Sequence, residues 1–126
     1  VTFPNDFSDL QKLLVDSGKV DEEFWVVAPD HISYFTKDSF SKMAESLGLS
    51  VELILADFPI DIFLLNDHSN YIKDKSKGKQ AHYSRIYVMN LLFDIDFEHN
   101  LNAFLSFGQS GFGRNLTAFL RVNKVL

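Results

Sequence analysis

The chain has 126 residues, 46% of them hydrophobic and 23% charged, with no cysteine, a formal net charge of −5 and a pI near 5.2. That length suits one domain, 1–126, able to bury about two-thirds of its unfolded surface. Without cysteine there are no disulfides, thiolate chemistry or Cys-based metal sites, which is compatible with a reducing, cytoplasmic setting. The acidic balance argues against a general nucleic-acid binder, which needs a basic face. No apolar run approaches the roughly 18 residues of a membrane helix, so no membrane partner is expected.

The opening VTFPNDF has neither the basic region nor the apolar core of a signal peptide. Val1, Thr2 and Phe3 read as the end of a strand, which predicts that the chain is part of a longer fold. Pro4 ends that strand. Asn5 or Asp6 is expected to cap a helix with Phe7, Leu10, Leu13 and Leu14 on one side, stopped at Gly18. Residues 23–28, with Phe24, Trp25, Val26 and Val27, read as a strand or an extended connector. Thr36 is a good N-cap for a helix over 37–47 whose stripe is Phe40, Met43, Ala44 and Leu47, with Gly48 as its stop. In 51–57 both alternating sets are largely apolar, so this strand is expected to be covered on both sides. A helix feeding such a strand is an α/β signal.

Pro59 suits the first turn of a short helix capped by Asp57, with Ile60, Phe63 and Leu64 as its apolar face. Residues 66–78 break the pattern, and the alternating Lys73, Lys75, Lys77 and Lys79 read as a solvated loop or, less simply, a phosphate site. A long helix is predicted over 79–97, where Ile86, Met89, Phe93 and Phe97 fall at core-forming intervals. A shorter one follows over 100–107 with Leu101, Phe104 and Leu105. Gly108, Gly111 and Gly113 are expected to interrupt regular structure before an interior strand over 116–122.

Motifs of known chemistry are scarce: there is no HExxH, GxSxG, P-loop or GxGxxG, and the histidines at 31, 68, 82 and 99 have no spacing for a shared metal. Asp30 and His31, beside Tyr34, lie in a loop directly before a helix, where binding residues commonly sit. His31 can act as a base or donor near neutral pH, or can simply pin the loop through a backbone hydrogen bond.

The stretches FPNDF, APDHISYFTKDSFSKMAESLGLSVE, ADFPIDIFLLN, AHYSR and GFGRNLTAFLR, in this order, resemble the C-terminal part of class I S-adenosylmethionine-dependent methyltransferases. Bacterial enzymes with a PPDHxNYF loop are the nearest in pattern; Ala28 stands where that pattern has proline. The resemblance implies a Rossmann-like fold with a small mixed sheet. Val1 to Phe3 would end its fifth strand and 51–57 form its sixth. The seventh, 116–122, would insert antiparallel between them, and 58–115 would form a helical insertion over the acceptor side. It implies a transferase acting on a small-molecule acceptor, with His31 and Tyr34 catalytic and Asn5, Asp6, Asp30 and Arg114 binding the substrate. S-adenosylmethionine would be the cofactor of the complete enzyme. The family's glycine-rich loop and ribose-binding acid have no counterpart here, so no cofactor-binding residue is expected and the chain alone should be inactive. Two other readings fit the residues. One is a non-catalytic interaction module, and the other an anion or nucleotide-sugar binder using Arg114 and the lysines. A sheet lacking its first strands also predicts a homodimer through an exposed sheet edge.

Overall fold

The computed structural model describes residues 1–123. Its elements are β1 (Thr2–Pro4), α1 (Asp9–Asp16), α2 (Lys37–Ser46), β2 (Leu49–Ala56), α3 (Gly78–Ile95), α4 (Phe97–Ser110) and β3 (Asn115–Val122), with short 3-10 turns at Ile60–Leu65 and Lys75–Lys77. The sheet order is β1-β3-β2, and β3 runs antiparallel to both neighbours. The expected pairing of 51–57 with 116–122 is therefore present. Every adjacent pair is antiparallel, so the sheet is not mixed in its pairing; β1 and β2 are parallel only across β3.

Ala118 and Val1 exchange both main-chain hydrogen bonds, at 2.8 Å each. In an antiparallel ladder a residue bonded to one side leaves its neighbours to bond the other. Thr117 and Phe119 thus face β2, opposite Leu55 and Leu53, and Ile54 turns its carbonyl to the outer edge. There α4 lies directly against the backbone. A Cβ on Gly108 would collide with the Ile54 carbonyl, and one on Gly113 with Ala56. These glycines let a helix and the following turn close on a strand edge that would otherwise be bare.

One face of the sheet packs on α2. Phe3, Phe40, Ala56, Leu116 and Ala118 form the core there, with Phe3 stacked on Phe40 at 4.0 Å between ring centroids. Thr36 caps α2 as its sequence indicates, accepting from the Ser39 N–H while Ser39 Oγ accepts from the Thr36 N–H, a reciprocal capping box. Gly48 follows at φ 74°. A second core joins α1 to the Ile60–Leu65 turn through Leu10, Leu14, Val20 and Leu64.

Several expectations are corrected. The α1 cap is Ser8, in a capping box with Gln11, whereas Asn5 and Asp6 are buried before it. Residues 23–28 contain no strand; Trp25 is buried there while Val26 and Val27 are exposed. Asp57 does not cap the Ile60–Leu65 turn. Its carboxylate accepts from the Asn115 N–H and side-chain amide, both at 2.8 Å, and so clamps the start of β3. The long helix stops at Ile95, because Asp96 caps α4 by accepting from the Glu98 and His99 N–H groups. Phe97 consequently belongs to α4, which continues through Gly108 to Ser110. Nor is the aromatic stripe of the long helix buried in the core: Phe97 is largely exposed, and Phe93, stacked on it at 6.2 Å, is half-exposed with its ring 6.0 Å from that of buried Phe104. The second sheet face is only partly covered as well, leaving Phe119 half-exposed beside Leu53. No helix among the described residues is long and apolar enough to cross a membrane.

The close approach at residue 108 yields a direct test. Gly108→Ala is expected to cost about 3 kcal/mol in urea unfolding, because the methyl meets main chain that cannot rotate away. Gln109→Ala, one position along and exposed, should stay within about 0.5 kcal/mol. Equal losses would mean that α4 does not press on β2.

Candidate functional site

β1 and β2 end, and β3 begins, at the same edge of the sheet, where Pro4 pairs with Asn115 and Ala56 with Leu116. Three segments therefore converge there: Asn5 and Asp6, the stretch from Asp57 to Asp61, and Gly113 with Arg114.

Asn5 builds the edge. Its N–H donates to the Arg114 carbonyl at 2.9 Å, and its side-chain amide donates to Gly111 and Gly113 carbonyls at 2.7 and 2.9 Å. Both amide hydrogens are thus used on the turn that carries Arg114. Phe7 then adopts φ 56°, a left-handed conformation unusual for a bulky side chain. Its ring stands edge-on to Trp25 at 5.6 Å and to Tyr34 at 6.1 Å. The reversal at Phe7 leaves Asp6 buried, its N–H bonded to the Phe35 carbonyl at 2.9 Å.

Beside Asp6 lies a charged network. Arg114 Nη1 donates to Asp61 Oδ2 at 3.2 Å, the Tyr71 hydroxyl donates to Asp61 Oδ1 at 2.7 Å, and the guanidinium lies over the Phe24 ring at 5.3 Å. Asp61 is buried, with each oxygen held by a donor, the condition under which a buried carboxylate is tolerated. Burial first, and the Asp61 charge next, hold the Tyr71 hydroxyl far above the usual phenol range, so it remains a donor. Arg85 Nη1 sits 3.8 Å from Asp57 and brings a second cation from α3. For Asp6, burial raises the carboxyl above its ordinary range; the nearby Arg114 and His31 charges oppose that shift, and Asp61 adds to it. Asp6 has no side-chain hydrogen bond among the described residues. A cavity of about 890 Å³ opens over Phe24 and Tyr71, bordered also by Glu22, Glu23, Val26 and Lys75.

The loop residues sit at the rim. Asp30 and His31 are exposed, and the His31 N–H donates to the Val27 carbonyl at 2.9 Å. Its imidazole, 6.2 Å from the Tyr34 ring, has no hydrogen-bond partner among the described residues. The Tyr34 hydroxyl accepts from the Val27 N–H at 3.1 Å. The structure thus gathers Asn5, Asp6 and Arg114 at one edge, puts His31 close enough to Asp6 for their charges to interact, and leaves Asp30 outermost. The lysines of 73–79 do not converge on a site. Lys73 donates to Gly18, Lys77 donates to Asp67, and Lys79 lies over Tyr83.

Asp61 and Tyr71 carry no distinguishing signal in the sequence. An acid in the first turn of a helix headed by proline ordinarily complements the helix dipole, and a tyrosine inside a polar loop has no periodicity. Only their meeting across ten residues identifies them.

Among the described residues no group of three or more His, Cys, Asp or Glu is placed to hold a metal ion. The glycines of 108–113 do not fit a cofactor cradle either, since the room at Gly108 and Gly113 is filled by β2 itself. No family model, curated protein or solved structure matches the chain.

The raised Asp6 carboxyl has a consequence for stability. A carboxyl whose folded pKa lies above its unfolded value binds its proton more tightly when folded, so stability falls as pH rises through that interval. Asp6→Asn removes this loss. Thermal unfolding followed by circular dichroism should give the variant a higher Tm than the parent at about pH 7, with the gap closing towards about pH 4. A gap independent of pH would show that Asp6 is not held in this way.

Proposed function

We propose that the chain carries the acceptor-side, C-terminal portion of an S-adenosylmethionine-dependent methyltransferase acting on a small metabolite. The observation that supports this reading is the strand order β1-β3-β2, in which an antiparallel final strand lies between two mutually parallel ones, as the sequence resemblance implies. The charged edge then faces the acceptor. Asn5 positions Arg114 through the glycine turn, and Arg114, fixed on Asp61 through Nη1, directs its remaining nitrogens to an acceptor oxygen. His31, with its free imidazole near Asp6, takes the proton that a hydroxyl or amine loses on methylation. Tyr34 flanks it, and Asp30 lies on the rim. In this reading the residues that hold the cofactor belong to the other half of the enzyme.

A second reading, a non-catalytic interaction module, is favoured by the apolar side chains that α3 and the second sheet face leave exposed. The anion or nucleotide-sugar reading is weaker, because Lys73 and Lys77 are bonded to main-chain carbonyls and so do not converge with Arg114.

Calorimetry on the chain alone is expected to detect no binding of S-adenosylmethionine or its demethylated product, with any affinity weaker than about 1 mM. Joined to a cofactor-binding half, the chain should regain binding. His31→Ala should then lower methyl transfer by about 100-fold and leave cofactor affinity nearly unchanged. Micromolar binding by the chain alone, or full activity of the His31 variant, would count against the assignment.

A further inference from the structure

The outward face of α3 carries a line of large apolar side chains with a cation at one end and an anion at the other. Tyr83, Tyr87, Leu91 and Ile95 recur every four residues along it, 46%, 71%, 58% and 67% exposed. On an α-helix such residues form one continuous ridge, inclined to the axis, the kind that interdigitates with its like on another helix. Lys79 precedes the ridge by one step and is exposed, its ammonium over the Tyr83 ring at 5.8 Å. Asp94, near the far end, is also exposed and has no salt-bridge partner among the described residues. Glu98 adds a second exposed acid just beyond, at the start of α4.

We propose that this face of α3 binds a second copy of the chain, the two α3 helices lying antiparallel about a two-fold axis near Tyr87. The charge order selects this occupant. With the axis there, each Tyr83 lies opposite Leu91 of the second copy, Tyr87 meets Tyr87, and each Lys79 comes level with Asp94 and Ile95 of the other helix. An isologous contact makes both ion pairs at once, and antiparallel helices also oppose their macrodipoles. A parallel pair would instead set Lys79 against Lys79 and Asp94 against Asp94. The sheet edges offer a second copy less. α4 blocks the outer edge of β2 at Ile54, and β1 is three residues long with Pro4, which has no N–H, as one of them. The proposal does not depend on the methyltransferase reading.

An 18-residue helix is about 27 Å long, so a contact confined to it lies at the small end of specific interfaces. The dimer should therefore dissociate between about 10 μM and about 1 mM. Sedimentation equilibrium of the chain over that range tests it. Lys79→Asp and Asp94→Lys each place like charges together twice in the homodimer, so each alone should weaken self-association by about tenfold or more. Mixing the two variants restores both opposite-charge pairs, and the mixed dimer should form about as tightly as the parent, an outcome peculiar to an antiparallel two-fold contact. Tyr87→Asp, exposed and hence without effect on folding, should abolish the dimer. A parent chain still monomeric at about 1 mM, a Tyr87→Asp variant that dimerises normally, or a mixture no tighter than its components would each overturn the proposal.

Discussion

The central position of β3 is the constraint on which the remainder of the molecule depends. Because Ala118 gives both its main-chain groups to Val1, the alternation of the ladder turns Thr117 and Phe119 to β2 and sends the Ile54 carbonyl outward. That outward edge is where α4 closes, and only a residue without a side chain fits at 108. The same strand starts at Asn115, held by the Asp57 carboxylate, so Arg114 and the glycine turn arrive beside Asn5 and Asp6. Sheet order thus decides which charged residues become neighbours.

Those neighbours are costly to bury, and the structure divides the cost unevenly. Asp61 has a guanidinium and a phenol, one on each oxygen, which satisfies it fully. Asp6, just as deeply buried, has charge near it but no side-chain donor among the described residues, and burial makes it hold its proton more tightly. A fully satisfied carboxylate is a fixed support. A carboxyl with no donor, near an imidazole with no partner, is where a ligand would have something to add, and the proposed acceptor site therefore draws on Asp6 and His31 rather than Asp61. The strained backbone at Phe7 directly follows Asp6 and reverses the chain there.

The two long helices distribute their apolar residues differently. In α4 the inward line of Phe104 and Gly108 packs on the sheet, as amphipathic spacing predicts. In α3 only Ala81 is fully buried, while Tyr83, Tyr87 and Leu91 point out. Helical periodicity shows that residues share a face without showing what lies opposite it, so Phe93 and Phe97, expected in the core, are half-exposed and largely exposed. The conspicuous positions on α3 are the ones its charge pattern singles out for another molecule.

Local signals in the sequence determined the local structure. Thr36 with Ser39, the stop at Gly48, the apolar strands near 51–57 and 116–122, and the unusual loop with His31 and Tyr34 were all readable, because capping and alternation act within a few residues. The strand order β1-β3-β2 was not readable from the residues themselves. Tertiary structure decided the remainder. Ser8 rather than Asn5 or Asp6 caps α1, Asp57 clamps β3 instead of capping a turn, and Gly108 lies within a helix that it allows to touch the sheet. Asp61 and Tyr71 meet Arg114 only after the chain has folded back on itself. In each case the partner is distant in sequence. Burial, charge pairing and close backbone approach are properties of what faces a residue, and a linear pattern does not contain that information.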